Sequence, residues 1–153
     1  MVKVELEVII NRPIEEVFSF MSNVENDSQW STGAVETKLT SEGPIGKGST
    51  FEEATMFLGR KIEMTGEYTE YIPNKKFVCK SISGPFPAEG SYTFEEVDGG
   101  TKVTATIEVE PRGFFKIAEP LLIRMFKRQS EAELANLKDL LEKRPNIVLI
   151  ILS

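Results

Sequence analysis

The chain contains no histidine, and this absence restricts its chemistry more than any other feature. A Ser-His or Cys-His nucleophile, a histidine acid or base and a histidine metal site are all excluded. Proton transfer falls to Asp, Glu, Tyr, Lys, Arg or the single cysteine, Cys79. Four side chains stand out by position. Glu53 shares strand parity with Phe51, Thr55 and Phe57, and Glu133 lies midway along the apolar stripe of a long helical pattern near the end of the chain. A carboxyl buried at either place without a cationic partner has a raised pKa and becomes a usable acid or base. The plainer expectation puts Glu53 at a frayed strand end and Glu133 at a rim in water, because unpaired buried Glu is rare. Tyr68 and Tyr92 are the neutral candidates. A phenol donates a hydrogen bond to a carbonyl or enol while its ring packs, or it reaches backbone or solvent from a core position. Cys79 reads as a small buried hydrophobe, with Lys80 on the opposite face. No cofactor and no metal-ligand set is expected.

These side chains need elements to hold them. The run PLLIRMFKRQSEAELANLKDLLEK, residues 120–143, has helical periodicity and at the helical rise would span roughly 35 Å. Leu122, Met125, Phe126, Leu137, Leu140 and Leu141 form its apolar stripe, interrupted by Gln129, Glu133 and Asn136. A purely structural core helix would carry Leu or Ala there. Arg124, Lys127 and Arg128 fall off the stripe and read as a solvated face, with Arg128 paired to Glu131 at i,i+3. Residues 2–10 alternate, with Val2, Val4, Leu6, Val8 and Ile10 on one parity, which predicts a half-buried antiparallel strand. Pro13 then opens a helix with Glu15 and Glu16 near its positive end. A second short helix over 23–30 closes on Trp30. Strands follow at 35–39, 50–58, 62–72, 77–83, 91–97 and 101–109. The glycine-rich loop 42–48 lacks the ending and the following helix of a phosphate loop, and Asp98-Gly99-Gly100 is the strongest hairpin signal. The class is α+β: a strand, two short helices, about six strands and one long helix. A sheet of this size needs its apolar face covered. Only the last helix is long enough, so the sheet must curl around it.

At 153 residues, with 41% hydrophobic and 27% charged residues, the composition is that of one globular domain, expected over 1–145. The remaining residues, 146–153, form an apolar tail. It is too short to span a bilayer but suited to add as a strand or bury in a neighbour, so self-association as a homodimer is expected of it. A net charge of −6 without a basic block disfavours nucleic acid. One cysteine excludes an internal disulfide framework and points to a reducing, cytoplasmic compartment. Neither a signal peptide nor a transmembrane run is read in the sequence.

The order of elements, with particular segments, resembles the Bet v 1-like or START-like (SRPBCC) superfamily, and within it the polyketide cyclase/dehydrase branch. The segments are RPIEEVFSFMSNVENDSQW (12–30), IGKGSTF (45–51), the run from Gly66 to Pro111, EPLLIRMF (119–126) and EAELANLKDLLEK (131–143). The resemblance implies a helix-grip fold: a curved antiparallel sheet of about seven strands around the C-terminal helix, with a cavity between them. The implied cavity walls are Phe51, Phe57, Met64, Tyr68, Tyr92, Phe94, Ala105 and Ile107 from the sheet, and Leu122, Phe126, Gln129 and Glu133 from the helix. Trp30 would close one end, and Leu137, Leu140 and Leu141 would lock the rest of the helix. Members of the superfamily include polyketide cyclases, lipid and sterol carriers, ubiquinone-binding proteins and hormone receptors. The implied function is binding of a small hydrophobic molecule (a lipid, isoprenoid or polyketide-like compound) as carrier or sensor. One alternative is a cofactor-independent cyclase/dehydratase using Tyr68, Tyr92, Glu53 or Glu133. The other is a co-chaperone-like interaction module.

Overall fold

Alternation along the first strand decides which way the sheet faces. Val2, Val4 and Ile10 are buried while Lys3, Glu5 and Glu7 are exposed, so one face of the sheet is apolar and the other wet. The structure, a computed structural model, describes residues 2–57 and 59–144, and the side chains of Phe57 and Phe114 fall outside that description. In chain order the elements are β1 Val2–Ile10, α1 Ile14–Met21, a 3₁₀ helix Val24–Gln29, β2 Ala34–Leu39, β3 Thr50–Phe57 and β4 Arg60–Ile72. They continue with β5 Lys76–Ser83, β6 Ala88–Val97, β7 Gly100–Val109, α2 Phe114–Ile117 and α3 Glu119–Glu142.

The seven strands form one antiparallel sheet in the order β1-β7-β6-β5-β4-β3-β2. β1 lies beside β7, with Val2 opposite Val109 and Ile10 opposite Thr101, and the two short helices carry the chain from that edge to the other. The sheet curls as a half-barrel around α3, which is the helix-grip arrangement. The Asp98-Gly99 turn joins Val97 to its ladder partner Gly100, and Gly99 takes φ +80°, a conformation that glycine adopts without steric cost. Two strands start two or more residues earlier than the pattern predicts: β4 at Arg60, straight after the turn, and β6 at Ala88, straight after Pro87.

The core has two parts. Phe18 of α1 makes edge contacts with Phe94 at 5.1 Å and Tyr71 at 5.4 Å between ring centres, so α1 plugs one end of the half-barrel. Leu134, Leu137 and Leu141 bury the C-terminal half of α3 in the same cluster. The end of α3 is also tied to the end of β1. The Asn11 N–H donates to Glu142 Oε2 at 2.8 Å, and Lys138 Nζ donates to the Ile9 carbonyl at 2.5 Å. A smaller cluster of Ile62, Phe115 and Leu122 holds the start of α3. Pro120 lies in the first turn of α3, where a missing N–H costs nothing, so it starts the helix and does not kink it.

Two expectations for this helix need correction. Met125 is exposed rather than part of the packed stripe: on the same turn it is Leu122 and Phe126 that face the cavity. Arg128 and Glu131 are both exposed, and no ion pair joins them among the described residues; two long solvated side chains gain little by pairing. Asn136, which interrupts the stripe, has a structural partner: its Nδ2 donates to the Trp30 carbonyl at 3.4 Å. The apolar tail 146–153 lies outside the described residues.

Candidate functional site

The apolar face of the sheet and the N-terminal half of α3 do not close on each other. Between them lies a cavity of about 290 Å³, close to the lower end of the range for small-molecule sites, about 300–1,000 Å³. Its walls come from every layer of the fold. Phe51, Met64, Tyr92 and Ile107 line it from the sheet, Leu122, Phe126, Gln129 and Glu133 from α3, and Trp30 from the end of the 3₁₀ helix.

Glycines decide how two of the rings sit. Gly66 is the ladder partner of Phe51, and a Cβ built there would stand 2.5 Å from Phe51 Cζ. Only a glycine lets the ring lie flat across the neighbouring strand. Gly90, two residues before Tyr92 on the same strand, leaves room beside that residue's ring, whose edge would stand 3.3 Å from a Cβ at that position. Gly33, in the bend after Trp30, lets the Gln129 amide approach to 2.9 Å from where its Cβ would be, which seats α3 against the cavity's end.

Three expected wall residues are not on this cavity. Tyr68 is fully buried and does not line the cavity. Its hydroxyl donates to the Ser22 carbonyl at 2.5 Å and accepts from the Val24 N–H at 3.2 Å. It ties β4 to the junction between α1 and the 3₁₀ helix, so it has no hydroxyl to offer a ligand. Phe94 is also away from the cavity, because α1 covers its ring. The side chain of Phe57 lies outside the described residues. Ala105, of matching parity, borders only a smaller neighbouring void of about 40 Å³.

The carboxylates are where the site departs most from the plainer expectation. Glu53 is not at a frayed end: it sits in mid-ladder between Thr37 and Met64 and lines the cavity, as does Glu133. A third carboxylate, Asp27 of the 3₁₀ helix, lines it too. Each keeps some accessible surface, as a cavity-lining group must, but lies deep in the protein. Burial raises the Asp27 carboxyl well above the usual range, and the charges of Glu53 and Glu133 raise it further. Burial and then Glu133 raise Glu53. Burial raises Glu133 as well, opposed by the side chains of Ser31, Gln129 and Thr32. Those three favour its charged form.

No basic side chain pairs with Asp27, Glu53 or Glu133 among the described residues. Among the described residues one cationic side chain borders the cavity, Lys80, and its ladder partner Glu89 borders it too. Lys80 is exposed and alternates in parity with the inward Cys79 and Ser81. Among the described residues no group of His, Cys, Asp and Glu is arranged to hold a metal ion. Burial also raises the Cys79 thiol and the Tyr92 phenol, so both stay neutral near pH 7. The Trp30 indole is buried, at 8% relative exposure, and its Nε1–H has no acceptor among the described residues. Chemically the site is a largely apolar chamber with three deep carboxyls, those of Asp27, Glu53 and Glu133, with which no basic side chain pairs among the described residues.

Asp27 and Ser130, which also lines the cavity, were not legible as site residues. Asp27 belongs to the polar run VENDSQ, which reads as solvated. Only the folding of that turn over the end of the half-barrel brings it inside. Ser130 stands next to Gln129 in the interrupted part of the stripe, which was the available signal.

The sequence matches a family model described as polyketide cyclase / dehydrase and lipid transport over residues 1–142. The chain belongs to this family. Solved structures show the same fold at low identity. TTHA0849 from Thermus thermophilus superposes with a TM-score of 0.78 at 20% identity, covering 90% of this chain and 94% of that one. The Zhui aromatase/cyclase from Streptomyces sp. R1128 gives 0.76 at 15%, covering 95% and 96%. A START superfamily protein from Mycobacterium smegmatis gives 0.67 at 17%, covering 92% and 94%. Among curated proteins no sequence matches. The family's description spans both an enzymatic and a transport role, so membership establishes the architecture and leaves activity to be argued from the cavity.

Proposed function

We propose that this protein binds a small hydrophobic molecule in the cavity between sheet and α3, as a carrier or sensor. The observation that carries this reading is the cavity of about 290 Å³ walled by Phe51, Met64, Tyr92, Ile107, Leu122 and Phe126. Those side chains could have packed into a solid core. Leaving them around a void forfeits packing energy, which a bound apolar molecule restores. Purified protein extracted with organic solvent should yield a discrete hydrophobic compound by mass spectrometry, or take up a hydrophobic fluorescent probe with saturable binding. Protein that is repeatedly free of such a compound and binds no probe would refute the reading. The single unpaired cysteine supports a reducing, cytoplasmic setting. No helix among the described residues is long and apolar enough to cross a membrane. The net charge of −6 speaks against nucleic acid as a partner. Self-association through the apolar tail is part of the same proposal, and light scattering with and without residues 146–153 tests it.

A second reading has its own support. The raised carboxyls of Asp27, Glu53 and Glu133, with Tyr92 beside them, could hand protons to and from an enolisable ligand. That is the chemistry a cyclase or dehydratase needs. Turnover of a poly-β-ketone, lost together in D27N, E53Q and E133Q, would favour it over simple carriage.

A further inference from the structure

We propose that the corner formed by α2 and the first turns of α3 docks on an anionic lipid surface. Ile117 and Leu121 enter the headgroup boundary, and Arg124, Lys127 and Arg128 hold lipid phosphates. This surface lies outside the cavity and docks whatever the cavity binds.

Exposed apolar side chains are normally scattered singly over a soluble protein. Among the described residues nine large ones are exposed, and four of them, Ile117, Leu121, Ile123 and Met125, fall within one nine-residue stretch. Ile117 is the most exposed of the nine, at 85%. The packing of this corner does not call for them. Its core contacts are made by Phe115 and Leu122, which cluster with Ile62. Lys, Gln or Glu at the exposed positions would propagate a helix as well as Leu or Met and better than Ile, and would leave less apolar surface in water.

Positive charge gathers at the same place. Residues 116–128 hold four cations, Lys116, Arg124, Lys127 and Arg128, against one acid, Glu119, in a chain whose net charge is −6. All four cations are exposed, and none forms an ion pair among the described residues. Seven other cations, by contrast, each meet a carboxylate. At 3.6 residues per turn, Leu121 and Met125 stack on one flank of the exposed face of α3 and Ile123 lies on the other. Arg124, Lys127 and Arg128 fall between those flanks.

Apolar flanks around a basic centre select among partners. Nucleic acid offers phosphates but nothing to cover the apolar flanks. A second copy joined through the same face would set like charges against each other. An anionic bilayer meets both needs at one depth: phosphates for the long basic side chains and an acyl boundary for the apolar ones. The overall charge of −6 does not oppose this, because at physiological salt exposed charges are screened beyond about 8 Å. On the opposite side of the same turns, Phe115, Leu122 and Phe126 line the cavity. Docking at this corner therefore sets one wall of the chamber against the lipid.

Co-sedimentation of the full chain with vesicles tests the surface, using phosphatidylcholine alone and phosphatidylcholine mixed with phosphatidylglycerol. The chain is expected to bind the anionic vesicles at least about tenfold more tightly than the neutral ones. R124Q/K127Q/R128Q and I117S/L121S should each lower the affinity for anionic vesicles by about tenfold or more. All five side chains are exposed and outside the cavity lining, so both variants should keep the wild-type Tm and the uptake of a hydrophobic probe. Wild-type protein that takes up no probe but sediments with anionic vesicles refutes the cavity reading alone. Wild-type protein that binds neither vesicle, or binds both equally, overturns the lipid surface. Anionic binding that persists undiminished in either variant overturns it too. So does a dimer seen by light scattering that I117S/L121S dissociates, since this face would then join two copies of the chain.

Discussion

The Phe51 ring lies across Gly66, its ladder partner on β4, so closely that a Cβ at residue 66 would stand 2.5 Å from Phe51 Cζ. Both residues line the cavity, so this one contact sets a wall of the site and the packing of two strands. Gly66→Ala must push the ring off its seat, and overpacking of this kind costs about 1–3 kcal/mol. The loss should appear in urea denaturation as a lower midpoint with an unchanged slope. A smaller side chain at 51 should relieve it: F51L/G66A should be less destabilised than the two single changes added together, since the residues touch.

The two tyrosines separate structure from function. Removing the Tyr68 hydroxyl leaves the Ser22 carbonyl and the Val24 N–H without their partner, and a buried group stranded in this way costs about 1–3 kcal/mol. Y68F should therefore lower Tm, while the folded protein binds a cavity probe as before. The Tyr92 hydroxyl makes no hydrogen bond to another described residue, though its ring lines the cavity. Y92F should leave Tm within about 2 °C, because no internal hydrogen bond is lost, and should alter ligand affinity or turnover instead. Paired melting and binding measurements on the two variants check both statements.

What could be read from the sequence follows from what each signal depends on. Strand parity is a local property, and it placed Phe51, Glu53 and Ile107 on the same side as the cavity because alternation survives whatever the sheet does next. The long helix was legible for the same reason. The fate of a side chain's far end is not local. Tyr68 has inward parity, but its hydroxyl is captured by the chain crossing at Ser22 and Val24, a meeting 46 and 44 residues away in sequence. Phe94 likewise faces inward, and only the placement of Phe18 over it decides that it packs rather than lines. Asp27 is the extreme case: nothing in a short polar run marks one aspartate as inward, and its importance arises only when β3 and α3 bring Glu53 and Glu133 to the same chamber.

The two halves of α3 should respond differently to truncation. Leu137 is fully buried in the main core, and Leu→Ala at such a site costs about 2–5 kcal/mol. Phe126 is only half-buried and borders the cavity. F126A should cost less than the usual Phe→Ala loss of about 3–5 kcal/mol, because part of its surface faces a void rather than packed atoms. It should also admit larger probes than the wild type does. Equal destabilisation by the two changes, or unchanged probe size in F126A, would contradict the division of the helix into an anchoring half and a cavity half.

Stability should fall as pH rises from the acid side, and the cavity carboxyls are the reason. Asp27, Glu53 and Glu133 all have folded-state pKa values raised above their ordinary values of 3.8, 4.5 and 4.5. A raised carboxyl holds its proton more tightly in the folded state than in the unfolded one. The folded state therefore binds more protons above about pH 4, and ∂ΔG/∂pH is negative through that window. Below it all three are protonated in both states and contribute no slope. The loss continues until pH passes the raised folded values and then levels off. Glu142 works in the opposite sense, since Lys138 and the Asn11 N–H lower it, but it is partly exposed and its contribution is small. Glu53→Gln removes one of the three acids together with its repulsion of Asp27, so the variant should have a higher Tm than wild type at pH 8, on a scale of about 2–4 °C per kcal/mol. The gain should shrink steadily toward pH 4, where the wild-type carboxyl is itself neutral. Calorimetric melts of both proteins across that range provide the check. A Tm difference that does not change with pH would mean that Glu53 acts through packing and not through its charge.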